Sequence, residues 1–384
     1  MRERSLRAER VVSAITAPPR DDLGEPARVE RIRSEIERDG PITFARFMER
    51  ALYEPGLGYY ATSNDRATRA GDFLTAPELH PIFGWALARQ IDEMSARLGS
   101  KPDFVLREFG AGTGALGDAV REGLARDGSP LATALRYEPV EIEGRIAVGL
   151  PSGSIVGCVL GNELLDALPV HRVVRQGGEL CELYVGWMDA RFVDVAGELS
   201  DQRLRDRLER DPVALPEGHH AEICLAMTDW LGEVAREFER GYVLLIDYAL
   251  PQADLRSERR ATGTLRAFRG HHVSSDVLSG VGRQDITAHV DLDALEMESE
   301  MAGFDVLGRT TQSQFLMGCG LDEIYQAARA EADQDWDSAL LLRSALRRML
   351  DPLHLGAYAV IILGKNVDGE PPLRGPAYQV QRRT

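Results

Sequence analysis

Hydrophobic positions recur along the chain at two periods, and the period sets the element. Val29, Ile32 and Ile36 repeat at helical spacing, and Asp39-Gly40-Pro41 stops that run. A second helix is expected over Phe44–Tyr53 and a third from Pro81 to Leu98. The strand-like run Phe104–Phe109 leads into a glycine loop and then a helix to about Arg126. Short strands are predicted at Leu135–Glu138 and Ile155–Gly161. Residues 171–195 alternate apolar and polar around Gly177-Gly178, the pattern of a β-hairpin with a third strand. Glu222–Arg240 reads as helical, as do 291–302 and 321–350 with a break near Asp333–Asp337. Tyr242–Asp247 and Ala357–Leu363 are apolar without alternation, as strands covered on both faces must be. Strands separated by helices predict an α/β fold with a mainly parallel sheet.

Two segments stand apart. Residues 18–26 cluster Pro, Gly and Asp like a linker, after an Arg-rich arm whose Glu3 and Glu9 argue against a transit peptide. Glu54–Glu78 is punctuated by Gly and Pro and rich in aromatics, too long for a plain connector. The expected organisation is an arm at 1–26, a helical cap at 27–100, and a core at 101–384. The core carries the inserted hairpin 171–195 as cap or lid and substrate elements at 251–350.

Composition narrows the function classes. The chain of 384 residues is 44% hydrophobic, enough for a sizeable core, and its net charge of -16 opposes a general nucleic-acid role. Cys158, Cys181, Cys224 and Cys319 show no paired spacing, which predicts neither zinc nor disulfides and fits a reducing cytoplasm. His171, His219, His220, His271 and His272, five of the eight histidines, show no metal-ligand spacing, so no metal is expected. No apolar run approaches the ~18 residues of a membrane span. Basic residues are almost all arginine, with lysine only at Lys101 and Lys365, which reads as genome composition.

The glycine loop carries the chemistry. Gly112-Thr113-Gly114-Ala115-Leu116-Gly117 fits the dinucleotide fingerprint, whereas Glu108-Phe109-Gly110-Ala111-Gly112-Thr113-Gly114 fits the acid-x-G-x-G-x-G pattern that binds S-adenosylmethionine (SAM). Electrostatics favours SAM. A pyrophosphate wants a helix N-terminus and no nearby anion, and Glu108 would oppose it. A sulfonium and an ammonium welcome that acid. Glu138, ending the next strand, suits ribose hydroxyls of either cofactor. NAD(P) and a purely structural glycine turn remain open on these residues alone.

At this point the sequence resembles the MidA-like SAM-dependent methyltransferases, a family that includes mitochondrial complex I assembly factors acting on a protein arginine. The resemblance runs from about residue 40 to 320. It rests on Pro41-Ile42-Thr43-Phe44, Ala51-Leu52-Tyr53 and Gly58-Tyr59-Tyr60; on Gly71-Asp72-Phe73-Leu74-Thr75-Ala76-Pro77-Glu78; and on Asn162-Glu163-Leu164-Leu165-Asp166-Ala167-Leu168-Pro169. Ile246-Asp247-Tyr248, Gly263-Thr264-Leu265-Arg266 and Asp285-Ile286-Thr287-Ala288-His289-Val290-Asp291 complete the set. Ala76 and Ala249 depart from the family pattern, and the segment between Glu138 and Ile155 is short. The resemblance implies a class I SAM-methyltransferase core, Rossmann-like and seven-stranded, and methylation of an arginine guanidine.

Such chemistry has a stated cost. A guanidinium has a pKa of about 12.5–13.8, so freeing a lone pair beforehand near neutral pH costs roughly 7–9 kcal/mol. Carboxylates that hold the fork and accept the proton during transfer remove most of that cost. Asn162, Glu163 and Asp166 follow one strand and Asp247 ends another, where ligands of open α/β sheets lie. The family implies Asp72, Thr75, Glu78, Glu222, Tyr248, Asp285 and His289 as well. The expected assignment makes Glu163, Asp166, Asp285 and His289 catalytic. Glu108, Gly110, Gly112, Gly114, Glu138, Asn162, Asp72, Thr75 and Glu78 bind SAM, and Glu163, Glu222, Asp247 and Tyr248 bind substrate. Composition leans the substrate toward free L-arginine in a bacterial biosynthetic pathway. A protein arginine and a non-catalytic SAM-binding scaffold are the alternatives, with a homodimer held open and neither nucleic acid nor membrane as partner.

Overall fold

The computed structural model describes residues 22–60, 75–141, 155–270, 272–332 and 335–378. A six-stranded sheet forms its centre, in the order Asp305–Thr311, Ala359–Lys365, Phe238–Asp247, Ile155–Asn162, Val105–Phe109, Arg136–Val140. The last four run parallel, and Ala359–Lys365 is antiparallel to Phe238–Asp247. The pleat explains the unalternating apolar runs. Tyr242, Leu244 and Ile246 enter the core on one face, Val243 and Leu245 the core on the other. Each such Leu, Ile or Val contributes about 1.5–3 kcal/mol by burial. The helices Ile82–Arg97 and Ala115–Arg126 cover the first face, and Leu225–Glu237 and Leu292–Met301 the second.

A five-stranded antiparallel sheet lies apart from the first. It joins Ile42–Thr43, Glu179–Met188, His171–Gln176 and His220–Ile223, with Arg191–Gly197 on Glu179–Met188. Gly177 and Gly178 form the two-residue turn between Gln176 and Glu179, both at positive φ (64° and 82°), as the favoured hairpin turn requires. The helices Pro26–Asp39 and Phe44–Tyr53 pack beside this sheet, sharing a core with Val185 and Phe192. A three-stranded sheet of His272–Ser274, Arg266–Arg269 and Asp285–Thr287 joins the same core through Ala267 and Ile286.

Several expectations change. The large sheet has six strands among the described residues, against the expected seven. Residues 171–195 are not a separate hairpin lid; their strands pair with segments before and after them in sequence. The helix Ile82–Arg97, expected in the cap, packs on the large sheet because Ile82, Phe83, Ala86, Leu87 and Ile91 all face it. Glu222 lies on the strand His220–Ile223, and the helix begins only at Leu225. A four-residue strand is too short to outweigh the helical pattern that follows it. Among the described residues no helix is long and apolar enough to cross a membrane.

Candidate active site

The chain leaves the strand Val105–Phe109, crosses to Arg136–Val140, then returns to Ile155–Asn162 on the other side. That reversal opens a crevice at the carboxyl ends of Val105–Phe109 and Ile155–Asn162, where ligands of such sheets bind. A cavity of about 300 Å³ lies there, lined by the glycine loop, Asn162, Glu163, Asp166, Tyr59, Tyr60 and the three-stranded sheet.

The glycine loop is built for close approach. Gly110, Gly112 and Gly114 have φ of 70°, 57° and 78°, the left-handed region that side chains disfavour. A Cβ on Gly112 would meet nothing nearer than 4.0 Å, so the space over it faces the cavity. Gly117 has another purpose, because a Cβ there would stand 2.2 Å from the Tyr137 ring. The Tyr137 hydroxyl in turn donates to Glu108 Oε2 at 2.7 Å. Burial pushes the Glu108 carboxyl up to about 7, with the Tyr137 hydrogen bond opposing that rise.

The loop after Ile155–Asn162 is shaped by Asp247. Its Oδ2 accepts the backbone N–H groups of Leu164, Leu165 and Asp166 at 3.0, 2.7 and 3.4 Å. Its Oδ1 accepts that of Tyr248 at 2.7 Å. Glu163 turns the chain with φ 51°, while its own N–H still donates to the Ile246 carbonyl at 2.8 Å. The strained turn aims the Glu163 side chain into the cavity. Burial and then the Asp247 charge push its carboxyl up to about 8. Asp166, 9% exposed, is raised well above the ordinary carboxylate range by burial and by Asp247, Asp285 and Glu163.

The opposite wall comes from the three-stranded sheet. Arg266 pairs with Thr287 and Phe268 with Asp285, so these four side chains share one face, which lines the cavity. Tyr60 donates to Asp285, and Tyr53, stacked on Tyr60 with centroids 5.4 Å apart, donates to the Ala167 carbonyl at 2.8 Å. The Ala288 N–H donates to the Asp166 carbonyl at 2.9 Å. His289 lies against Tyr248 with rings 5.7 Å apart, and burial with Arg260 and Arg266 lowers its imidazole to about 4. The imidazole is therefore neutral at pH 7 and adds no positive charge.

The structure thus brings together Glu108, Gly110, Gly112, Asn162, Thr75, Glu78, Glu163, Asp166, Tyr248, Asp285 and His289 around one space. Gly114 caps the helix behind the loop. Thr75 and Glu78 also form the capping box of the short helix Ala76–Leu79. Asp72 lies outside the described residues.

Three expected residues sit elsewhere. Glu138 faces Arg107, whose Nε and Nη2 donate to its Oε2 at 3.0 and 2.5 Å, so it closes a half-buried ion pair rather than a ribose site. The acid at that strand end which reaches the loop is Glu141, whose carboxylate accepts the Gly112 N–H. Glu222 is turned to Thr264, accepting from its N–H at 3.0 Å and its hydroxyl at 3.1 Å. Asp247 is spent on four backbone N–H groups and does not line the cavity. Tyr60, Arg266 and Phe268 were not singled out by sequence as site residues; the motifs Gly58-Tyr59-Tyr60 and Gly263-Thr264-Leu265-Arg266 were the signal for the first two, and Phe268 lies in neither.

These residues fit SAM. The glycines leave an open backbone cradle, Glu108 and Glu141 stand where a phosphate would be repelled, and the buried Asn162 Oδ1 has no partner among the described residues. An unpaired buried acceptor suits a ligand donor. Among the described residues no group of His, Cys, Asp and Glu could hold a metal ion.

Comparison with known proteins agrees with this geometry. Residues 147–310 match the family described as "Putative S-adenosyl-L-methionine-dependent methyltransferase". A crystal structure of a Burkholderia thailandensis protein bound to S-adenosyl-homocysteine is 31% identical, with a TM-score of 0.78, covering 89% of this chain and 92% of that one. The zebrafish Danio rerio protein arginine methyltransferase NDUFAF7, mitochondrial, is 28% identical over 355 residues, 79% of each chain. Its Mus musculus counterpart is 28% identical over 338 residues, 75% of this chain and 73% of its own. With the glycine cradle, its acids and these relatives together, the chain belongs to the MidA-like family of SAM-dependent methyltransferases.

Proposed function

We propose that this methyltransferase acts on the guanidine of an arginine carried by a protein. The observation that carries the reading is the charge of the cavity. Glu78, Glu108, Glu163, Asp166 and Asp285 line it, against the single formal cation Arg266 among the described lining residues. Such a lining attracts a cation and repels an anion. The curated relatives, named as protein arginine methyltransferases, support a protein substrate over free L-arginine. Nothing in these comparisons supports the lean toward the free amino acid.

SAM supplies an electrophilic methyl group on its sulfonium. The carboxylates do the rest. Glu163, Asp166 and Asp285 hold the guanidinium fork and keep its charge on the side away from the reacting nitrogen. Burial holds the Glu163 carboxyl at about 8 in the free protein, so guanidinium binding displaces its proton, and the carboxylate so formed takes up the proton lost on attack. Neutral His289 and the Tyr248 ring wall the space against water without opposing the cation.

The test uses purified protein, SAM and two peptide sets that differ only in arginine or lysine. Mass spectrometry should place one added CH2 on arginine. Methylation confined to lysine, or to peptide carboxylates, would overturn the reading.

A further inference from the structure

Arg266 is anomalous in this cavity. It is exposed, it points the same way as Asp285, and among the described residues it makes no ion pair. Its Nη1 donates to the carbonyl of its own neighbour, Leu265, at 2.7 Å. The nearest acid on its face, Asp285, is instead held by the Tyr60 hydroxyl. A guanidinium lining a cavity with five acids is therefore left with its Nε–Nη2 edge available. Its place on the sheet also fixes what it can reach. Asp285 is its diagonal cross-strand neighbour, at a Cα separation of about 7–8 Å. An extended substrate advances about 3.3–3.6 Å per residue. With an arginine head at Asp285, Arg266 stands over the part of the substrate one or two residues away.

We propose that Arg266 is a substrate-selecting residue that binds a carboxylate carried one or two residues from the arginine to be methylated. The inference rests on the proposed arginine specificity and names the kind of sequence it serves. An acidic neighbour would otherwise be repelled by the same carboxylates that attract the arginine. Arg266 reverses that penalty at one point, and its planar fork suits bidentate binding of a carboxylate. The target is then an arginine with a Glu or Asp close by.

Acetylated, amidated pentapeptides with central arginine and either Glu or Gln at the flanking positions provide the probe. The expected kcat/KM ratio of Glu to Gln peptide is about tenfold in the native chain. It should fall to about one in Arg266→Ala and lie between in Arg266→Lys, which keeps charge but loses the fork. A role in balancing the cavity field alone would change both peptides equally and leave the ratio unmoved, overturning the inference. Titration of each variant with S-adenosyl-homocysteine provides a second readout. If Arg266→Ala weakens that binding tenfold and the peptide ratio stays fixed, the carboxylate is the cofactor's and the inference is wrong. L-arginine and agmatine, alike except for the α-carboxylate, supply a third arm. If only their ratio responds to Arg266→Ala, the carboxylate is that of the free amino acid, which also overturns it. If no arginine compound is methylated by the native chain, the proposed function fails first; methylation without acid preference defeats this inference alone.

Discussion

The hydroxyl of Tyr60 donates to both carboxylate oxygens of Asp285, at 2.8 and 2.9 Å, across 225 positions of sequence. One donor shared between two oxygens fixes the plane of the carboxylate. Tyr60 stacks on Tyr53, which is anchored to the Ala167 carbonyl beside Asp166. The aromatic pair thus sets the two facing acids relative to each other, although Asp166 lies in the turn after Ile155–Asn162 and Asp285 on the three-stranded sheet. Replacing Tyr60 by Phe keeps the stack and removes the clamp. The expected result is a fall in kcat of about tenfold, the worth of one lost hydrogen bond to a charged group at ~1.5 kcal/mol. Steady-state kinetics on an arginine peptide would check it, and an unchanged kcat would remove Tyr60 from the account.

Glu163 stands at the strained turn and carries a carboxyl raised to about 8. Glu163→Gln keeps the shape and removes the proton acceptor. Turnover should drop by at least about a hundredfold, the low end of what general acid–base groups supply. Binding of S-adenosyl-homocysteine, followed by calorimetry, should remain. A Gln variant that turns over normally would place the proton elsewhere.

The same shift has a sign for stability. Glu163 is raised from 4.5 to about 8, so its contribution is fully present below pH 4.5 and lost as pH rises through 8. Asp166 and Glu108 are raised in the same direction. The ligand-free protein should therefore melt at a lower temperature at pH 8 than at pH 5.5. Glu163→Gln should raise the melting temperature at pH 8 by about 1–2 °C, on the order of 1 kcal/mol for a chain of this size. At pH 4.5 the variant and the native chain should differ less. Scanning calorimetry across this range decides it, and a Gln variant that is less stable at pH 8 would show that the carboxylate is already paired.

Asp247 organises the loop rather than the substrate. Its Oδ2 serves three backbone N–H groups that have no other acceptor in the turn. Asp247→Asn offers an amide NH2 to some of those donors. A loss of about 2–3 kcal/mol follows for unmatched buried groups. The melting temperature should fall by several degrees, and turnover should fall with it because Glu163 loses its support. A variant with native stability and reduced substrate affinity would return Asp247 to the substrate.

The glycine cradle makes a separate demand. Gly112→Val places a β-branched side chain at φ 57°, over the cavity floor. Binding of S-adenosyl-homocysteine should weaken at least about tenfold because the side chain fills the space over the loop, while the backbone cost of ~1–2 kcal/mol for an L-residue in that region falls on stability. Isothermal titration checks it.

Much of this was legible in the sequence, and the exceptions share a cause. Tyr242–Asp247 read as a doubly covered strand because nothing in it is polar until its end. The cofactor loop was legible because its acid and glycines are contiguous. Glu138 and Glu141 are both acids near one strand end, and the pleat decides which reaches the loop; Arg107 on the adjacent strand captures Glu138. Asp247 looked like a substrate acid because its partners, Leu164 to Asp166, are over 80 positions away. Glu222 was hidden in a strand whose pairing with His171–Gln176 is itself tertiary. The Tyr60–Asp285 clamp could not be read at all, since neither residue signals the other locally.

Buried carboxylates are expected to take up the charge of a guanidinium in this cavity. Calorimetry of the protein saturated with S-adenosyl-homocysteine, titrated with an arginine peptide and its citrulline counterpart, tests it most directly. The arginine peptide should bind at least tenfold more tightly, release close to one proton at pH 7, and bind more tightly as pH rises from 6 to 8. Equal affinity for the neutral citrulline peptide, with no proton released, would contradict it.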